Sequence, residues 1–293
     1  MAENLERDLA MVGIKITPEN PFIQSVPLLK TMRPLSPYVA RVEALWLQCR
    51  SAIIQIFPEM PKVTKPIDEY LHNIEDIYQS DAYNSLSIEG YQVTPELIER
   101  VKNNSWNPAQ YRADLEQRNA LAARGYFEAF QAIKKTVMKI LEVKQNPGEI
   151  LEEDLQEWYQ KLFSPSVQAG LISPHQLLGY RNHPIYIRGS RHVPPPPEAM
   201  VDTMEALVKH LKEEPEASVR AILGHYIFVF IHPYFDGNGR IARFLMNVML
   251  TSGHYPWVVI PLTRRNEYMS ALASIDSEHN IIPFTKLIMD LMR

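Results

Sequence analysis

The stretch from Glu216 to Gly253 constrains this chain more than any other: it reads as two apolar helices joined by a turn crowded with polar groups. Pro215 suits a helix start, where its missing N–H costs nothing. Val219, Ile222, Leu223, Tyr226, Ile227 and Phe230 keep helical spacing, while Phe228, Val229 and Ile231 extend the apolar surface almost all round. A helix apolar on every side has to be buried. Pro233 keeps His232 out of helical geometry, so the buried helix ends on a histidine. After the turn a second helix begins, with Ile241, Phe244, Leu245, Val248 and Met249 in period and Gly253 as its expected stop.

The residues of the turn point to chemistry on phosphates. Gly237 and Gly239 flank Asn238, which lets the backbone turn tightly and bring its N–H groups close to a ligand. A glycine-bearing turn that feeds a helix N-terminus is an anion site. Arg240 and Arg243 near that N-terminus oppose the helix dipole, unless an anion such as a polyphosphate sits between them. His232 is suited to accept a proton and Asp236 to hold a hard cation. Phosphoryl-type chemistry needs this set, because its catalysis is mostly positioning and charge neutralisation. A Walker loop is excluded, since G-x-x-x-x-G-K-(S/T) is absent. An EF-hand register places Tyr234 and Leu245 where calcium needs acidic residues. His225 lies seven residues before His232, about 10 Å along the same helix, too far to share a metal, and reads as core.

The rest of the chain is mostly helical in pattern. Ile67, Tyr70, Leu71, Ile74, Ile77 and Tyr78 share one helix face. A run of good helix formers covers about 108–143, Asn146-Pro147-Gly148 breaks it, and a helix from Glu149 to about Phe163 follows. Gly179–Val193 has the pattern of a short β-hairpin turning at Gly189-Ser190, stopped by Pro194 to Pro197. The first forty residues, punctuated by prolines, read either as an irregular wrapping arm or as a partly disordered tail. Of the 293 residues 46% are hydrophobic and 22% charged, an ordinary globular balance. The net charge of −4 offers no bulk attraction to nucleic acid or an anionic membrane. The single cysteine, Cys49, excludes an internal disulfide. No apolar signal core opens the chain, and Ala221–Ile231 is too short to span a bilayer. The expectation is a cytoplasmic protein without nucleic-acid or membrane partners.

The run His232-Pro233-Tyr234-Phe235-Asp236-Gly237-Asn238-Gly239-Arg240-Ile241-Ala242-Arg243 resembles the Fic-family signature H-P-F-x-(D/E)-G-N-G-R-x-x-R. Tyr234 departs from it, keeping the ring of the usual Phe and adding a hydroxyl. The resemblance extends over about 149–289 and implies an all-α Fic-fold bundle with a short β-hairpin flap plus an N-terminal helical region. The expected division is 1–108 for that region and 109–293 for the core, with the fido segment at about 148–289. By resemblance, His232 is the general base, Asp236 holds Mg2+ or Mn2+, and Gly237, Asn238, Gly239, Arg240 and Arg243 bind the phosphates of ATP. Gly179-Tyr180-Arg181 and the hairpin look like the family's flap, whose Ile185, Tyr186, Ile187 and Arg188 would dock the target by strand addition. Arg264 to Tyr268 look like the adenine-side segment, with Tyr268 carried over. Ser85-Leu86-Ser87-Ile88-Glu89-Gly90 resembles the inhibitory motif (S/T)-x-x-x-E-(G/N), in which Glu89 would pair with Arg243 and Ser85 would steady it.

The activity so implied is AMP transfer from ATP to a Tyr, Thr or Ser hydroxyl of a target protein, restrained by Glu89. The alternatives are another phosphoryl or nucleotidyl transfer on the same fold, AMP removal, and a non-enzymatic nucleotide-binding module. Homodimerisation is compatible with the sequence.

Overall fold

In this computed structural model residues 35–61, 66–103, 105, 117–187 and 189–292 are described. The proline-rich arm expected before residue 35 lies outside them, as do Arg188 and most of 104–116. Ten α-helices appear among the described residues: α1 (Pro37–Ile56), α2 (Ile67–Ile88), α3 (Pro95–Lys102), α4 (Gln117–Met138), α5 (Pro147–Gln168), α6 (Met200–Glu213), α7 (Ala217–Ile231), α8 (Asn238–Thr251), α9 (Arg265–Glu278) and α10 (Ile282–Leu291).

Their starts follow local chemistry. Ser36 accepts the Tyr38 N–H at α1, and Thr94 accepts the Leu97 N–H at α3. At α5, Asn146 accepts from Gly148 at 2.8 Å, with Pro147 in the first position. Asn146-Pro147-Gly148, read as a break, is therefore a helix start. The chain before it leaves α4 through a π-helical turn, Lys139–Val143, and a left-handed Lys144 at φ 53°. Helix α5 also runs past Phe163, carrying Pro165 inside it.

The apolar helix α7 sits at the centre as expected, with all but two of its residues buried, Val229 and Phe230 being partly exposed. It packs along α8, and α1 and α6 cover it. Helices α4 and α5 pair with each other and lie against α8. Tyr126 and Phe130 of α4 pack on Phe244 of α8, with ring centroids 4.7 and 6.4 Å apart. Helices α2 and α3 rest on α4, and α2 also touches α8. Residues from Ser36 onward thus form one compact unit. No described helix is long and apolar enough to cross a membrane.

The hairpin expected over Gly179–Val193 is not formed: no strand appears among the described residues. The segment is an irregular loop with one tight turn, in which the Ser190 N–H reaches the Ile187 carbonyl at 3.1 Å. Arg181 takes the His183 and Pro195 carbonyls with its side chain, so these acceptors are unavailable to a ladder.

Candidate active site

Helix α7 ends at His232, which adopts the left-handed conformation (φ 52°, ψ 59°) and sends its own N–H back to the Phe228 carbonyl. The ring is held by Nδ1 at 3.2 Å from the Val229 carbonyl. A carbonyl can only accept, so Nδ1 carries the proton and Nε2 keeps its lone pair. Burial pushes the imidazole down to about 4; the Val229 contact opposes this, Arg181 reinforces it, and more weakly Glu89 raises it and His192 lowers it. A depressed value means that the ring is protonated only as pH falls through about 4. An NMR titration of the His232 ring is therefore expected to show a midpoint near 4, not the ordinary value of about 6.5. His225, deeper in α7, is pushed down to about 3 by burial and by Arg243. Two imidazoles buried neutral stabilise the fold fully above about 6.5, and that contribution fades as the unfolded chain takes up protons in acid.

The turn after His232 is shaped by Asn238. Its Oδ1 accepts the Tyr234 N–H at 2.9 Å and its Nδ2 donates to the Tyr234 carbonyl at 2.8 Å. The side chain of Asn238 is therefore committed to the loop, which leaves its backbone N–H as the group that could serve a phosphate. Tyr234 is buried, stacked on Tyr159 with centroids 3.7 Å apart and planes 5° from parallel. Gly237 precedes α8 at φ 80°, and its N–H is bonded to Asp236 Oδ1 at 2.6 Å. The anion nest is thus the first turn of α8, whose N–H groups have no intrahelical partner and no side-chain cap.

Both arginines converge there from α8. Arg240 is buried, with its guanidinium over the rings of Tyr91 at 5.0 Å and Phe163 at 5.2 Å, and one nitrogen 3.1 Å from Asp236 Oδ1. Its Nε has no partner. Arg243 donates from Nε to Ser85 Oγ at 2.9 Å, and from Nη2 to the Ser85 carbonyl at 3.0 Å and to Glu89 Oε1 at 2.8 Å. Its Nη1 is buried without a partner. Orphaned buried donors of two cations beside a helix N-terminus fit an anion.

Glu89 occupies that nest. A Cβ added to Gly239 would lie 2.3 Å from Glu89 Oε1, so only glycine admits the carboxylate this close to the first turn of α8. Glu89 caps the end of α2, where Gly90 (φ 86°) returns its N–H to Ser87 and Tyr91 returns its own to Leu86. This is the paired closure of a Schellman motif, and it explains the glycine. Gly90→Ala meets no atom within 4 Å, so its cost is backbone strain of about 1–2 kcal/mol. A Tm about 2–4 °C lower per kcal/mol is expected in thermal denaturation.

Asp236 is the candidate cation ligand. Its Oδ1 serves Gly237 and Arg240, and its Oδ2 lies 3.4 Å from the Tyr91 hydroxyl. The side chain is 55% exposed, and no cluster of three or more potential ligands occurs among the described residues. One accessible carboxylate fits a magnesium ion whose other ligands are substrate phosphates and water.

Other expected positions are placed differently. Tyr268 is buried, with its hydroxyl 3.0 Å from His225 Nε2 and its ring against Phe284, so it presents no face to a nucleotide. Helix α9 turns Ala273 and Asp276 toward a cavity of about 880 Å³ that Tyr226, Phe230, Arg41 and His192 also line. Tyr186 is fully exposed on the loop, with Ile185 and Ile187 partly so. Tyr91, whose ring meets the guanidiniums of Arg240 and Arg118, was not singled out in the sequence, and Arg181, read there only as part of the flap, donates to the His232 carbonyl at 2.8 Å. For Tyr91 a signal exists, since the residue that follows a helix-ending glycine commonly packs back.

The sequence pattern of the Fic/DOC family matches residues 149–250, the segment that holds this turn and both flanking helices. Protein adenylyltransferase Fic of Drosophila yakuba is 30% identical over 222 residues, covering 74% of this chain and 40% of the relative, and that of Drosophila ananassae matches to the same extent. The chain therefore spans about two fifths of the length of these curated relatives. Among solved structures, a Fic-1 fragment from C. elegans superposes with a TM-score of 0.61 at 18% identity, covering 87% of this chain and 71% of the other. A Fic domain containing signaling protein from Bacteroides thetaiotaomicron gives 0.58 at 21%, covering 87% and 93%. These two establish the fold. With the signature, the helix order and the family match falling on one segment, this chain carries a Fic/DOC family domain.

Proposed function

We propose that this protein transfers AMP from ATP to a hydroxyl of a protein, and that Glu89 restrains it. The observation that carries the reading is the convergence of a neutral His232 with an arginine-flanked helix N-terminus whose nest holds a carboxylate of the same chain. Curated relatives with the same domain are protein adenylyltransferases by name.

His232 Nε2 takes the proton of the acceptor hydroxyl as its oxygen attacks the α-phosphorus, and pyrophosphate leaves. The first-turn N–H groups of α8 stabilise the charge on the phosphates. Arg240 and Arg243 hold the terminal phosphates with the donors that now lack partners. Asp236 would hold a magnesium ion, which would supply charge neutralisation for the phosphates. The exposed loop with Ile185, Tyr186 and Ile187 is the proposed docking edge for the target.

The test uses ATP labelled at either end. Label at the α-position should remain on protein and label at the γ-position should leave with pyrophosphate. Retention of the γ-label would instead mean phosphoryl transfer and would overturn the reading.

A further inference from the structure

Arg181 is a buried cation to which the mechanism above gives no task. It is 2% exposed. Its Nε donates to the His232 carbonyl at 2.8 Å, Nη1 to the His183 carbonyl at 3.0 Å, and Nη2 to the Pro195 carbonyl. Its backbone N–H donates to the Pro233 carbonyl at 2.9 Å. Every partner is a carbonyl, and no carboxylate among the described residues forms a salt bridge with it. Desolvating a guanidinium without an anion is costly, and burial lowers its proton affinity accordingly. An apolar side chain of similar volume would fill the space without that cost, so packing does not account for the charge.

What the cation holds accounts for it. His232 stands at φ 52°, a conformation that non-glycine residues keep only when the surroundings enforce it. Arg181 takes the carbonyls on both sides of the following peptide, those of His232 and Pro233, and so fixes the turn that aims the ring. Its charge also meets the negative pole at the C-terminus of α7. The other two carbonyls belong to His183 and Pro195, the ends of the irregular loop beside the site. One side chain therefore ties that loop to the residue read as the base. The groups facing the imidazole are Arg181, the Val229 carbonyl of α7, Glu89 at the end of α2, and His192 of the loop.

We propose that Arg181 is a positioning residue that locks the His232 turn and couples it to the 183–195 loop, so that the base is aimed only while that loop is seated. The inference rests on the reading of His232 as base.

The test compares Arg181→Met and Arg181→Lys in the full chain carrying Glu89→Gly. In Arg181→Met the ring titration of His232 should rise from near 4 toward the ordinary value of about 6.5. Amide exchange over 183–195 should accelerate about tenfold or more. Labelling from α-labelled ATP should fall about 100-fold in kcat with little change in the KM for ATP, since the phosphate clamp is untouched. Lysine keeps the charge without the planar fork. Arg181→Lys should therefore hold the titration low while exchange accelerates and the rate falls, and it carries the test if the methionine variant does not fold. Unchanged titration and exchange in Arg181→Met, or full rate and protection in Arg181→Lys, would overturn the proposal. Neither the titration nor the exchange depends on AMP transfer, so failure of the base assignment shows separately, as undiminished labelling by His232→Ala.

Discussion

Glu89→Gly is expected to raise labelling of protein from α-labelled ATP about 100-fold over the parent. The size of the effect is set by what the carboxylate does. It donates nothing to the fold of α8 but makes a charge-assisted bond to Arg243 at 2.8 Å, and it fills the space in front of Gly239. Such bonds contribute about 1.5–3 kcal/mol, and every 1.4 kcal/mol is a tenfold change in an equilibrium. The Arg243 guanidinium is raised well above its ordinary value, with Glu89 the largest cause opposing the desolvation penalty. Removing Glu89 leaves Ser85 on two of the donors and frees the rest for a phosphate. Glycine is well tolerated there, because residue 89 sits at a helix end with φ −81° and ψ 0°. An Arg243→Gln companion separates the brake from a general loosening: it too loses the contact with Glu89, yet it should gain no activity because the clamp is gone. Equal labelling by parent and Glu89→Gly would reduce the pair to an ordinary ion pair with no regulatory role.

How much of this was legible in the sequence depended on whether a residue's role is local. Helix α7 could be read because apolar residues on every face leave burial as the only outcome, and Pro233 fixes where the helix stops. The nest could be read because Gly237 and Gly239 announce a backbone turn and a close approach. Glu89 was placed correctly opposite Arg243, 154 residues away, through the resemblance alone; its periodicity says only that it lies at a helix end. The role of Asn238 was not legible, since the same amide is suited to a ligand or to its own loop, and the choice depends on how Tyr234 packs. Tyr268 came from the resemblance alone, and no local pattern says that its hydroxyl meets His225. The hairpin failed where tertiary bonding outcompeted a local pattern. Residues 179–193 carry the apolar run and the glycine turn of a hairpin, but Arg181 claims the carbonyls of His183 within the segment and Pro195 just past it. Pro147, read as part of a break, instead opens α5 as a tolerated first residue.

His232→Ala, made together with Glu89→Gly, is expected to lower labelling by about 10²–10⁴-fold, the range that a positioned general base supplies. The KM for ATP should stay close to that of the single variant, because in the proposed mechanism the phosphates are held from α8, by Arg240 and Arg243, whose own bonds go to Asp236, Ser85 and Glu89 and not to the imidazole. A fall in kcat alone marks an interaction made only in the transition state. The position is well suited to this test of chemistry over structure. The ring makes one hydrogen bond, to the Val229 carbonyl, while the turn is held through the backbone by Arg181 and Phe228. Alanine should therefore leave the turn standing, though at some cost for its left-handed φ. His232→Asn provides the check: its amide can bond the same carbonyl but is not basic at neutral pH, so it should preserve thermal stability and remain as inactive as alanine. If asparagine restored the rate, the ring would be acting through position and not through its lone pair, and proton transfer would have to be assigned elsewhere.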